Sequence, residues 1–306
     1  MTGLFAAILL YQKRQWTYGS VAFSLGLSVK MNLLLALPAI GIILYQAVGP
    51  SQAILNASYM GQVQLLLAVP FLRANVWGYL GRAFDFSRQF MYKWTVNWRF
   101  VPESTFLSKE FAASLLAAHV SLLALFAITR WSQPARRRSF MDFLAMTFIA
   151  PPKEERDAMA ERITPDFVLT SVLTSMAIGM LCARSLHYQF FSWLAWSTPY
   201  LLYKSQLPPL VLFAAWFGQE MAWNVYPSTE LSSKIVVGIL AAVVVKVWAS
   251  TDATDERDAL EVVDATDVGE TDEAKLKFQA AARRLREEER ARRRVPGQRV
   301  GNGKAR

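Results

Sequence analysis

Long apolar runs separated by short polar breaks organise this chain. Residues 16–29, 33–48, 57–72, 106–128, 167–183, 190–203, 209–225 and 231–248 are each dominated by aliphatic and aromatic side chains, and a shorter run fills residues 1–12. The apolar positions are continuous and do not alternate, which predicts helices surrounded by apolar matter on nearly every side. A helix needs about 20 such residues to cross a bilayer upright. The run 106–128 meets that length. Several others fall short, so tilt, local thinning or re-entrant geometry has to make up the difference. The pattern therefore predicts an all-α polytopic integral membrane protein with about eight candidate membrane helices. The run 1–12 is a stub too short to span.

The polar breaks give an orientation. Lys13 and Arg14 follow the stub, Arg130 and Arg136-Arg137-Arg138 follow the run 106–128, Lys204 follows 190–203, and an Arg-rich tail follows 231–248. If every run crosses, these four clusters share one side, which the positive-inside tendency makes cytosolic. The segment 73–103 and the turn at His187 then face the other side, the lumen. The parity rests on 57–72 crossing and not re-entering. Asn56-Ala57-Ser58 is the one N-glycosylation sequon; this topology puts it in the cytosol, unused. Residues 139–166 mix apolar and charged positions around Pro151-Pro152 and read as a cytosolic connector with a surface-lying helix.

Composition agrees and adds one point. The chain has 306 residues, 53% of them hydrophobic, and a mean hydropathy of +0.21. Of 33 Lys+Arg and 24 Asp+Glu, the tail from Ser250 holds 13 of each, so the formal charge of +9 sits wholly in residues 1–249. That points to anionic lipid or phosphate near the bilayer and away from nucleic acid. Two domains follow: a membrane region, 1–249, and a charged tail, 250–306, helical or disordered, with helix favoured over 274–294. The single cysteine, Cys182, excludes an intramolecular disulfide. Two histidines and no H-E-x-x-H string argue against catalytic zinc. No metal and no cofactor is expected.

Residues 82–100 concentrate the candidate chemistry. Four cations (Arg82, Arg88, Lys93, Arg99), one carboxylate (Asp85) and seven aromatics fall within nineteen residues. Cations take phosphate, and aromatic faces take sugar rings or lipid tails. The plainer reading is an interfacial loop whose aromatics sit among headgroups while its cations snorkel. Asp85, between Arg82 and Arg88, reads as a local ion pair. Arg184 and His187 lie three apart, one face of a helix if the segment is helical, where a basic pair suits a phosphate. Lys30 interrupts apolar sequence and either binds ligand or marks a luminal turn; Glu220, inside another apolar run, needs a partner.

The order of residues in 82–100, with the strings Ser28-Val29-Lys30-Met31-Asn32, Arg184-Ser185-Leu186-His187-Tyr188-Gln189-Phe190 and Trp223-Asn224-Val225-Tyr226-Pro227-Ser228, resembles the dolichyl-phosphate-mannose-dependent α-1,3-mannosyltransferases of the endoplasmic reticulum. The resemblance runs from near residue 1 to about Trp248. It implies a partial GT-C-type glycosyltransferase fold in a multi-pass protein of the endoplasmic reticulum membrane with a cytosolic C-terminal tail. It implies transfer of mannose from dolichyl-phosphate-mannose to the five-mannose dolichol-diphosphate-linked oligosaccharide, at the luminal face, during N-glycan precursor assembly. The donor is β-linked and the product α-linked, so the resemblance implies one inverting displacement. In transferases of this kind the base is an acidic residue of the first luminal loop. This chain begins inside a segment that looks like a later helix, so the base is expected upstream of Met1 and the chain alone is expected to be inactive. Other classes stay open: a non-catalytic membrane subunit, a lipid-sugar transporter, or another dolichol-dependent glycosyltransferase. No internal repeat favours the transporter.

Overall fold

The computed structural model describes residues 1–83, 85, 91–135 and 152–267, the last seventeen as backbone only. Regular structure among them is entirely helical. Residues 1–252 form one compact unit. It begins with a hairpin of α1 (Thr2–Gln12) and α2 (Trp16–Val29). A Cβ on Gly3 would sit 2.7 Å from Gly26 Cα, so the two backbones touch. Close backbone approach of this kind is how helices gain dispersion contact where lipid removes the hydrophobic drive.

A 3-10 stretch (Met31–Ala36) leads into α3 (Leu37–Ala83). The 3-10 winding adds length. At ~2.0 Å per residue it contributes about 12 Å, and residues 37–48 add about 18 Å of α-helix. Together they reach about the ~30 Å of a hydrocarbon core. α3 then folds back at Gly49, whose φ of 78° and ψ of 170° belong to a region that essentially only glycine enters. The reversal is visible in its contacts. Gln46 Nε2 donates to Trp131 O at 2.7 Å, whereas Ser24 Oγ donates to Met60 O at 2.7 Å and Gln64 Nε2 to Ser24 O at 2.6 Å. The predicted runs 33–48 and 57–72 are thus two arms joined at Gly49-Pro50. The second arm continues past 72 into the predicted loop because Asn75, non-helical itself, accepts from Gly78 N at 2.8 Å and caps a further stretch of helix.

After the loop come α4 (Glu103–Leu107) and α5 (Lys109–Phe126), which ends in a π turn at Ala127–Trp131. α6 (Lys153–Glu161) meets α7 (Pro165–Leu181) at 78°. Most of the 17 residues of α7 are buried, so it is the column around which the others pack. α8 (Phe191–Lys204), α9 (Pro209–Trp223) and α10 (Glu230–Asp267) follow.

The chain is a multi-pass all-α membrane protein. By length and composition, three described segments suffice to cross a bilayer (Met31–Ala83, Lys109–Trp131 and Glu230–Ser250), and the bent pair α6–α7 makes a fourth. α8 and α9, of 14 and 15 residues, fall below that length.

Two ends of this unit differ in character. At one, which we term the basic end, Arg14 donates to Glu161 O, Arg162 to Pro134 O and Arg130 Nε to Trp248 O, and Lys204 pairs with Asp166 at 2.6 Å. The other, the aromatic end, gathers the segments 30–32, 91–102, 182–190 and 224–229. Asn56 is helical and 3% exposed, so its sequon is out of reach of an oligosaccharide-transferring enzyme in the folded protein. The second unit, Ala253–Arg306, is described only as helical backbone to Asp267; the helix predicted over 274–294 lies outside the described residues.

Candidate functional site

Asn97 organises the aromatic end. Its amide is 1% exposed. Oδ1 accepts from Thr95 Oγ1 and from Leu186 N, each at 2.9 Å, and Nδ2 donates to Ala183 O at 2.7 Å. Val96 N donates to Leu186 O at 2.9 Å and Trp98 Nε1 to Ala183 O at 2.8 Å. The segments 95–98 and 183–186 are therefore laced together through neutral groups. Ser228 Oγ donates to Thr95 O, Arg99 N to Ser233 Oγ, and Tyr188 OH to Val225 O, which ties in the third segment. The fourth arrives through Lys30, whose Nζ stands 4.6 Å above the Phe190 ring. The described parts of all four strings that carry the sequence resemblance meet here.

This lacing overturns one expectation. Arg184 and His187 do not share a helix face. α7 stops at Leu181, and residues 183–187 are non-helical. Leu186 N and O and Ala183 O bond to the 95–98 segment instead of to a helical turn. The two side chains diverge. Arg184 NH2 donates to Leu107 O at 3.0 Å and Phe106 O at 3.2 Å, closing the end of α4. His187 Nδ1 lies 3.3 Å from Trp94 O. A proton on Nδ1 makes that a hydrogen bond; Nε2 is then an acceptor in the neutral ring and a donor only in the imidazolium.

The other predicted cations divide similarly. Arg99 stacks on Tyr92, 4.4 Å from the ring centroid, and donates to Tyr92 O at 3.0 Å; Tyr92 OH returns a bond to Arg99 O at 2.7 Å. Tyr92 packs on Phe106 at 5.3 Å, so Arg99 and Arg184 are neighbours through that ring pair. Lys93 is exposed, its Nζ 5.5 Å from the Trp94 ring. Arg82 is exposed on the last turn of α3. Arg88 lies outside the described residues. Glu220 has the partner it needed: Asn224 Nδ2 donates to its Oε1 at 3.1 Å.

Against known proteins, a family model described as "ALG3 protein" matches residues 1–233. The chain belongs to that family. Relatives within reach of the ALG3 match are named Dol-P-Man:Man(5)GlcNAc(2)-PP-Dol alpha-1,3-mannosyltransferase. One from Neurospora crassa is 48% identical over 80% of this chain and 56% of its own length. Others from Mus musculus and Homo sapiens are 39% and 37% identical, over 83% and 81% of this chain and 57% and 56% of theirs. The chain thus spans a little over half the length of these relatives. No solved structure matches.

Sequence reasoning missed Asn97, which stands among seven aromatics with nothing in one sequence to mark it. It left Lys30 open and passed over Asn32, whose amide nitrogen and oxygen are both buried without a partner among the described residues.

Proposed function

We propose that this chain forms part of an α-1,3-mannosyltransferase that moves mannose from dolichyl-phosphate-mannose to the five-mannose dolichol-diphosphate-linked acceptor. The aromatic end faces the lumen of the endoplasmic reticulum, the basic end and the tail face the cytosol, and each predicted run makes a crossing in a partial GT-C-type fold. No metal or cofactor takes part. One observation carries the reading: the described parts of the four resembling strings, far apart in sequence, meet at one end, where cations and aromatic faces lie together. The names of the ALG3 relatives supply the substrates. The alternation of basic and aromatic ends supports the sidedness.

The β-linked donor and α-linked product call for a single displacement at the anomeric carbon. Positive groups that meet charge growing on the departing phosphate lower its barrier. Arg82, Arg88, Lys93, Arg99, Arg184 and His187 are the candidates for phosphate or substrate contact. Arg184 is held in a fixed position by its bonds to the carbonyls of Phe106 and Leu107. His187 offers Nε2–H when protonated, with Nδ1 anchored on Trp94.

The test uses the chromosomal gene, edited to His187→Ala, and microsomes scored for the six-mannose lipid-linked product. Turnover per folded molecule should fall about ten-fold or more, with little change in the apparent donor affinity. Unchanged turnover with reduced protein level would assign His187 to structure. A native gene product without transfer activity would end the reading.

A further inference from the structure

Lys30 lies outside the six cations considered above, and its surroundings set it apart. It is half-buried, between Val29 and Met31, apolar side chains that are 87% and 58% exposed. Its ammonium stands 4.6 Å above the Phe190 ring. Among the described residues it makes no hydrogen bond and no ion pair. Three N–H donors are left over. A half-buried charge beside lipid-facing surface costs free energy that a ring face returns only in part. The basic end shows the usual remedy, where Lys204 pairs with Asp166 at 2.6 Å. For Lys30 an anion from outside the chain would do the same.

Direct contacts bring His187 to the same ring. Tyr188–Phe190 form a 3-10 turn with His187 as its N-cap, and Phe190 N donates to His187 O at 2.8 Å. Residues three apart in such a turn lie one above the other. The His187 and Phe190 rings accordingly have centroids 6.4 Å apart, tilted by 39°. Lys30 and His187 thus approach one ring from two segments far apart in sequence. Trp94 O, 3.3 Å from Nδ1, fixes the imidazole and leaves Nε2 for a ligand. Arg99 and Arg184 differ, since both direct N–H groups to backbone carbonyls.

This pair selects a ligand type. A phosphate accepts charge-assisted bonds from an ammonium and from a protonated imidazole. The exposed apolar side chains of Val29 and Met31 suit a hydrocarbon chain carried by that phosphate. A free phosphate ion would gain nothing from them.

We propose that Lys30 and His187 together hold one phosphate of an isoprenoid lipid, with the Phe190 ring as the wall beside it. This rests on the reading under Proposed function and deepens it: Lys30 joins the binding residues, and it shares a ligand with His187. Donor and acceptor both carry such a phosphate, and the test separates them.

The protein is the detergent-purified product of the native gene. The probes are a short-chain isoprenyl phosphomannose, the matching isoprenyl diphosphate, and phosphatidylinositol. Each is titrated by calorimetry below the melting temperature of the variant in hand. Lys30→Met keeps the length of the side chain and loses its charge. It should weaken one or both isoprenyl lipids about 10- to 150-fold, the span of a lost charge-assisted contact, and Lys30→Arg should keep most of the affinity. Loss for the phosphomannose alone assigns the site to the donor, and loss for the diphosphate alone assigns it to the acceptor. The melting temperature should stay close to native, because the ammonium has no hydrogen bond to lose. Combining Lys30→Met with His187→Gln should give losses that depart from additivity by about two-fold or more, as two groups on one ligand do. Strictly additive losses place the two residues on different ligands and overturn the inference. Native affinity for both isoprenyl lipids in Lys30→Met overturns it, whether or not the melting temperature falls. An equal loss for phosphatidylinositol marks a general headgroup contact and overturns it too, as does a native protein that binds neither isoprenyl lipid. Mannose transfer by the native protein in microsomes leaves the transferase reading standing in each of these cases; absence of transfer removes that reading whatever the titrations give.

Discussion

The two ends of the molecule use charge in opposite ways. At the basic end, cations are structural ties. Arg130, 6% exposed, bonds Trp248 O and stacks on the Trp248 ring at 4.6 Å; Arg14 and Arg162 reach carbonyls of neighbouring segments; Lys204 pairs with Asp166 while its own carbonyl takes a bond from Ser250 Oγ. At the aromatic end the tying is done mainly by neutral groups, Asn97 above all, with Trp98, Ser228 and Tyr188. That division has a physical motive. Neutral hydrogen bonds hold a loop without spending a charge on the tie. Arg184 stands between the two styles: it is a cation of the aromatic end, yet it ties the end of α4 as the cations of the basic end tie their segments.

The comparison is sharpest at Asn97. Asn97→Leu strips the acceptor from Leu186 N and a donor from Ala183 O in a dry interior. It should cost about 3 kcal/mol of stability, the upper range for a stranded buried group. Turnover of the remaining folded enzyme should drop about 100-fold, as displacement of a site by ~1 Å does. Detergent melting and rate per folded molecule, measured together, check both halves. At the basic end, Arg130→Met should cost about 2 kcal/mol and leave turnover per folded molecule within about two-fold, since the proposed reading puts substrate at the opposite end. If both variants lose turnover equally, the distinction between the ends fails. Smaller still, Lys204→Met removes a pair whose members are 21% and 57% exposed and should cost about 0.5–1 kcal/mol, with a matching small fall in melting temperature. Asn56→Gln should change nothing in electrophoretic mobility, because the buried asparagine carries no glycan; a shift would show that this segment meets the modifying enzyme before it folds.

Much of the architecture was legible from the apolar runs, because continuous hydrophobicity is a strong signal and membrane helices have little else to be. Even so, the runs missed how α3 proceeds. Residues 73–83 look polar enough for a loop, yet Asn75 restarts the helix by a local bond that only geometry reveals. At the candidate site, residue type drew attention to the cations, but spacing misjudged Arg184 and His187. The three-residue rule holds only inside a helix, and bonds from residues 95–98, about ninety positions away, pull this stretch out of helical form. No pattern within a single sequence encodes a partner at that distance. The neutral residues were hidden for a related cause: an asparagine or glutamine in sequence carries no mark of whether its amide is met.

The fold-back at Gly49 bears on how the protein is made. The arm of α3 before it is only residues 37–48 plus a 3-10 stretch, and the connection to the next arm is a single peptide link into Pro50. If each arm makes a crossing, arms joined so tightly have no slack to enter the bilayer one after the other and would leave the translocation channel as a hairpin. A side chain at Gly49 would oppose that turn at the moment of insertion. Its harm would show as protein caught by quality control during synthesis, long before any question of catalysis arises.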